Sequence, residues 1–228
     1  EVRSGEVFGI AGVSGNGQSA LSSVLSGLEQ PTAGRIELNG APAGALSPAN
    51  LTARAVARIP EDRHADGLVV DMTVWENLIA ERYRDTAFSR AGVLLITHAK
   101  IEAERLIEEF DVRGADSDTT VRLLSGGNMQ KLILARTLSR GPGFILADQP
   151  IRGLDVGAIA EVHRRLMAAR EAGAGILLIT EDLEELFLLS DRVAVLYQGR
   201  LSEARPSDSV DRLEIGLAMA GKIDQSAH

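Results

Sequence analysis

The run Gly12-Val13-Ser14-Gly15-Asn16-Gly17-Gln18-Ser19 has the residue types and spacing of a phosphate-holding loop. Glycines let the backbone turn N–H groups inward around phosphate oxygens at the start of a helix. Ser19 brings a hydroxyl able to ligate Mg²⁺, and the pattern G-x-x-x-x-G-K-[ST] is met everywhere except at Gln18. Gln18 can donate a hydrogen bond but carries no charge. Hydrogen bonds to charged groups contribute roughly 1.5–3 kcal/mol against about 1 for neutral ones, so anion affinity is expected to fall by about tenfold or more. A glycine-rich turn that binds nothing is the plain alternative. The apolar strand before it and the helix after it favour a degenerate phosphate loop.

Two further stretches carry chemistry. Ser125-Gly126-Gly127-Asn128 starts a helix with Ser125 as cap, leaving a hydroxyl and backbone N–H groups aimed at an anion. A capped helix start is also the bland reading, and the two do not compete. Downstream, the apolar strand Phe144-Ile145-Leu146-Ala147 ends at Asp148-Gln149-Pro150, and Leu177 to Thr180 lead into Glu181-Asp182. A solvated aspartate closing a core strand is common in isolation; here it follows soon after Leu124-Ser125-Gly126-Gly127.

The surrounding pattern must position these groups. Glu6 to Ile10 reads as a strand, Gln18 to Leu28 as a helix, and Arg35 to Leu38 with Asn39-Gly40 as a hairpin. Ser47-Pro48 caps a short helix, and Ala55 to Ile59 is a strand stopped by Pro60. Thr73 with Glu76 forms a capping box before an apolar helix, and a second helix runs from about His98 to Phe110. Alternation then resumes with a helix after Gly127, the strand at 144–147, a helix from Val156 to Glu171, and strands at Ile176–Thr180 and Val193–Tyr197. Strands alternating with helices mean a largely parallel sheet covered on both faces. The domain expectation is a core of residues 1–70 and 121–228, with a β hairpin region at about 31–59, interrupted by a helical insertion at 71–120.

Composition bounds the rest. Of 228 residues, 45% are hydrophobic and 25% charged, ordinary globular values. No apolar run is long enough to cross a bilayer. With 24 basic and 32 acidic side chains the net charge is −8, which disfavours nucleic-acid binding. Cysteine is absent, so disulfides and thiolate metal sites are excluded. The four histidines (His64, His98, His163, His228) lack metal-ligand spacing. The chain opens at Glu1, directly before a strand, and Lys222 to His228 reads as a polar tail.

Taken together, Leu124-Ser125-Gly126-Gly127-Asn128-Met129-Gln130-Lys131, the Phe144 to Asp155 segment and the upstream glycine loop resemble the signature, Walker B and P-loop segments of ATP-binding-cassette (ABC) ATPases. The resemblance covers Gly5 to about Leu201. It implies an α/β P-loop NTPase fold of the ABC type, mainly parallel, with a small antiparallel β region and a helical subdomain. It also implies ATP and Mg²⁺ as cofactors. Gly12, Ser14, Gly15, Asn16, Gly17, Gln18, Ser19 and Ala20 would form the phosphate loop, with Ala20 lacking a hydroxyl that many members use. Ser19 and Asp148 would hold the metal. Gln149 stands where the catalytic glutamate belongs, Glu181 where a switch histidine belongs, and Glu61 where a Mg²⁺-contacting glutamine aligns. A glutamine cannot take a proton from the attacking water, and a general base contributes about 10²–10⁴-fold. Four departures therefore weaken one site.

The intact signature, Ser125, Gly126, Gly127 and Asn128, together with Asp155, would complete the site of an opposing domain. Pro60-Glu61-Asp62-Arg63 and Arg152-Gly153-Leu154-Asp155-Val156-Gly157-Ala158 resemble the second ATPase domain of tandem sugar and nucleoside importer ATPases, with Gln149-Pro150 and Thr180-Glu181-Asp182-Leu183 closer to the nucleoside branch. The partners implied are a first ATPase domain in the same longer chain, arranged head to tail, and membrane permease subunits. The implied location is the cytoplasmic face of the cell membrane, held through the permease. The alternatives are an ABC ATPase that hydrolyses ATP on its own and a soluble non-transport ABC scaffold.

Overall fold

The computed structural model describes residues 1–222, so the expected tail falls outside the described residues apart from Lys222. In chain order the elements are β1 (Val7–Ala11), α1 (Gln18–Leu25), β2 (Glu37–Leu38), β3 (Ala41–Pro42), α2 (Pro48–Ala53) and β4 (Val56–Ile59). Next come α3 (Val74–Ile79), β5 (Ser89–Arg90), β6 (Val93–Leu94), α4 (Ile96–Glu109), α5 (Gly126–Leu138) and β7 (Phe144–Asp148). The chain continues with α6 (Val156–Glu171), β8 (Gly175–Thr180), α7 (Leu183–Leu189), β9 (Arg192–Tyr197), β10 (Arg200–Leu201), β11 (Arg205–Pro206) and α8 (Arg212–Met219). Two compact units emerge among the described residues: 1–58, 142–149 and 170–222 form a sheet unit, and 59–141 with 150–169 a helical unit.

The sheet unit is built on the order β10-β9-β1-β8-β7-β4, with β11 also on β9. β1 runs parallel to both β8 and β9, and β7 parallel to β8; β10 and β11 pair antiparallel with β9. Period-two alternation divides β1 between two cores. Phe8 and Ile10 join Leu146, Leu177, Ile179 and Leu196 on one face; Ala11 joins Leu186, Val193, Val195 and Ile215 on the other. Residue 9 faces the second side, where only glycine fits: a Cβ there would collide with Ser190 Oγ and stand 2.7 Å from Leu186 Cδ1. The entry to β1 is clamped by Glu6, whose carboxylate accepts from Arg192 Nε at 2.5 Å and from the Arg3 N–H at 2.8 Å. Burial pushes the Glu6 carboxyl up, but these bonds outweigh it and hold the carboxyl below its usual range.

Expected and observed elements differ in places that local chemistry explains. The first helix ends at Leu25 rather than Leu28, because Gly27 enters the left-handed region at φ 72° and Leu28 N–H bonds back to Ser23 O at 2.9 Å. Gly27 also packs where a Cβ would meet the Ser47 backbone at 2.8 Å. The Asn39-Gly40 turn takes positive φ at both residues and joins β2 to β3. Unforeseen are the β5–β6 hairpin, α7, α8 and a π-helical turn at Arg63–Gly67, which Asp62 caps by accepting from His64 and Ala65 N–H.

Within the helical unit α3 packs on α4 and α5. Thr73 and Glu76 close the capping box at the start of α3, the Thr73 N–H reaching Glu76 at 2.8 Å. The second helix begins two residues earlier than expected, at Ile96, and ends at Glu109.

Candidate functional site

The glycine loop lies between β1 and α1 in the sheet unit. Gly15 (φ 89°) and Gly17 (φ 110°) adopt backbone conformations that favour glycine, and Gly17 caps α1 without any side-chain bond. Ser19 and Ala20 are exposed on the first turn, and no acidic residue occupies that turn. Backbone donors at such a helix start suit an anion.

Gln18 is buried and folds back on its own loop. Its Nε2 donates to Val13 O at 2.7 Å and its Oε1 accepts the Asn16 N–H at 3.1 Å. The fit is close enough that a Cβ on Gly12 would stand 2.5 Å from Gln18 Nε2. Asn16 adds a second tie, donating from Nδ2 to Val13 O at 2.9 Å and accepting the Gln198 N–H at 2.9 Å. The loop thus satisfies internally several polar groups that a phosphate would otherwise recruit.

At the carboxyl ends of β7 and β8 stand Asp148, Gln149 and Glu181. Asp148 is 5% exposed, and burial pushes its carboxyl above the usual range, partly offset by a hydrogen bond from Ser22 and by the charge of Arg58. Gln149 takes a left-handed φ of 48°; its N–H donates to Ile179 O at 2.8 Å, and its Oε1 accepts the Glu181 N–H at 3.4 Å. Glu181 in turn reaches the glycine loop, where the Ser14 hydroxyl donates to its carboxylate at 2.6 Å. Glu61 belongs to the helical unit, where Arg152 takes its carboxylate.

The helical unit holds the second constellation. Ser125 caps α5, its Oγ accepting the Asn128 N–H at 3.4 Å and Asn128 Nδ2 at 3.1 Å. Asn128 Oδ1 accepts the Arg113 N–H at 3.0 Å, which fixes the amide orientation. With its oxygen so occupied, the exposed Ser125 hydroxyl is left to donate outward. Asp155 accepts the Ala158 N–H at 3.0 Å and caps α6. Ser125, Gly127, Asn128, Lys131 and Asp155 border a polar cleft of about 510 Å³. Gly127 packs tightly there, a Cβ lying 3.3 Å from Ala158 Cβ.

Reasoning from motifs missed three supporting residues. Arg63 donates to Arg152 O at 3.1 Å and Gly153 O at 3.4 Å, and lies 3.5 Å from a Cβ placed on Gly126. Ser22 partners Asp148, and Arg113 anchors Asn128. Arg63 belongs to the Pro60-Glu61-Asp62-Arg63 run and carries a signal in that motif; Ser22 and Arg113 act through tertiary contacts that no spacing reveals.

A glycine loop joining β1 to α1 of a mainly parallel sheet, with an aspartate ending β7 one strand beyond the adjacent β8, defines a P-loop nucleotide-binding fold. The ABC transporter family model matches residues 1–152, and the chain belongs to that family. It is 44% identical over 227 residues to the guanosine import ATP-binding protein NupO of Bacillus subtilis (strain 168), covering 99% of this chain and 44% of that protein. It is 42% identical over 228 residues to the glucose import ATP-binding protein TsgD13 of Haloferax volcanii, covering 99% of this chain and 42% of that protein. The chain therefore spans less than half the length of these curated relatives. A solved ATP-binding subunit of an ABC transporter shares the fold, with TM-score 0.76 at 24% identity over 96% of this chain and 90% of that one. Among the described residues no helix is long and apolar enough to cross a membrane.

Proposed function

We propose that this chain is one half of an importer motor for small polar solutes, a nucleoside or simple sugar. It holds nucleotide weakly in its own loop and completes the ATP site of a partner domain with Ser125, Gly126 and Gly127. The carrying observation is the contrast in polar bookkeeping. In the sheet unit, Gln18 and Glu181 bond the loop itself; in the helical unit, the exposed Ser125 oxygen accepts from Asn128 and its own proton is left to donate. The residues around the loop still suit a nucleotide tail with Mg²⁺. Magnesium commonly takes one or two protein oxygens plus phosphate oxygens, and Ser19 and Asp148 supply that set. Mg²⁺ bound there would neutralise phosphate charge. Gln149, a neutral amide tied to the Glu181 N–H, cannot accept a proton from water, so this site is expected to bind without turning over.

Support for a partner comes from exposed apolar residues next to the signature. Leu123 is 75% and Val156 83% exposed, each within two residues of a residue bordering the cleft. The partner is a first ATPase domain of the same longer polypeptide, placed head to tail. The helical region near Glu61 to Tyr83 docks on a membrane permease and so holds the protein on the inner face of the cell membrane. Gln149-Pro150 and Thr180-Glu181-Asp182-Leu183 favour nucleoside as cargo.

The test is titration of the purified chain with a fluorescent ATP analogue and Mg²⁺ beside a turnover assay. Weak or absent binding of the analogue without turnover supports the half-motor. Tight binding with turnover that Asp148→Ala abolishes would replace it with an autonomous ATPase.

A further inference from the structure

Resting on the reading that the loop in the sheet unit is a weak nucleotide site, we infer that this site selects a nucleoside diphosphate over a triphosphate. The selecting group is Glu181. In P-loop proteins the metal bridges the last two phosphates and is held between the loop serine and the strand-end aspartate, so the terminal phosphoryl group lies toward the strand ends. Here those ends carry Asp148, Gln149 and Glu181. The Glu181 carboxylate spans from the end of β8 to the Ser14 hydroxyl at 2.6 Å, so that a negative charge stands between the strand end and the glycine loop. Gln149 adds no cation, since its amide oxygen faces the Glu181 N–H at 3.4 Å. Nor does Gln18, which donates to Val13 O. Asp148 adds a second carboxylate, with Arg58 as the nearby positive charge.

A diphosphate can still be received by the backbone donors at the start of α1 around Gly17, where no acidic side chain occupies the first turn. Adding one more phosphate adds negative charge beside a carboxylate and replaces the Ser14–Glu181 hydrogen bond without offering a new donor. Like charges a few ångströms apart near a protein surface repel strongly enough to cost about tenfold in affinity or more. The site is therefore chemically a sensor of ADP-like ligands, and the same substitutions that remove hydrolysis set its preference.

The experiment is calorimetric titration of the purified 228-residue chain with ADP and, separately, ATP, each with Mg²⁺, for the native sequence and Glu181→Gln. The substituted residue is exposed and nearly isosteric, and a thermal melt confirms that the variant is folded. ADP is expected to bind about tenfold more tightly than ATP, and Glu181→Gln to bring the two within about twofold by improving ATP alone. ATP binding as tightly as ADP to the native chain overturns the inference, as does a Glu181→Gln variant that leaves the gap intact. Absence of binding for both ligands up to millimolar concentration also overturns it. Hydrolysis of ATP during the titration is a separate result: it sinks the weak, non-hydrolysing reading of the site, and the ADP-to-ATP ratio then has to be remeasured with a non-hydrolysable triphosphate.

Discussion

The starts of α1 and α5 are both polar, glycine-bearing helix ends, and they are finished in opposite ways. At α1 the side chains turn inward: Gln18 and Asn16 both bond Val13 O, and Glu181 caps Ser14. At α5 the side chains are held as well, Ser125 by Asn128 and Asn128 by the Arg113 backbone, but the exposed Ser125 oxygen is used only as an acceptor, which leaves its own proton to donate. Both helices form, and both glycine runs keep their shape. On the function proposed above, the difference teaches that a helix start can keep its fold while its polar groups are taken up by internal partners and a carboxylate stands beside it. Such exchanges conserve hydrogen bonds while removing the electrostatic reason for an anion to enter.

Four experiments can break or sharpen the contrast. The largest effect is expected from Gly127→Asp in the assembled transporter, where ATP turnover should fall by about 100-fold or more, the scale of losing a donor to developing negative charge. Gln18→Ala in the same assembly should change turnover less than about twofold, since it touches only hydrogen bonds within the loop; equal losses from both would erase the distinction. Next, Gln18→Lys in the purified chain should tighten triphosphate binding by about tenfold, read by fluorescence titration; no change would mean the loop geometry, not the charge, limits binding. Gln149→Glu should recover less than about tenfold of the 10²–10⁴ that a general base supplies, because Gln18 and Glu181 remain. Recovery of the whole factor would show that one group alone was lost.

The smallest effect concerns stability. Burial holds the Asp148 carboxyl above its usual value, so the folded state favours the protonated form. That contribution is complete below the ordinary aspartate range and is lost as pH rises through the raised folded value. Asp148→Asn removes the loss. Its thermal midpoint should equal that of the native chain in acid and exceed it modestly at pH 7. A lower midpoint at pH 7 would mean that Ser22 and Arg58 stabilise the charge more than burial penalises it.

Much of this was legible from residue order. The β1–loop–α1 unit, the Ser125 cap, the Thr73–Glu76 box and the helix Val156–Glu171 are set by signals a few residues apart, and such signals survive without tertiary knowledge. The end of α1 was misplaced because apolar Leu28 extends the helical pattern past Gly27, whose left-handed turn decides the matter. Short strands such as Ser89–Arg90 and Val93–Leu94 have too few residues to show a period. In the site, residue identities told which charges were missing. They could not tell that Glu181 bonds Ser14, or that Gln18 is consumed by the loop, because both depend on side chains meeting across 167 residues in one case and choosing a rotamer in the other.

The tie between Asn16 and the Gln198-Gly199 turn has a consequence for how the molecule responds to the energy state of a cell. Asn16 Oδ1 accepts from Gln198 and Asn16 O from Gly199, both at 2.9 Å, so the glycine loop is anchored to the strand-end turn after β9. A ligand that binds only the folded state stabilises it by an amount set by its concentration over its dissociation constant. A loop already laced to its neighbour has little left to order on top of that. Hydrogen exchange of the loop amides should thus be nearly as slow without nucleotide as with it, so that the domain answers nucleotide by mass action alone and not by folding a segment.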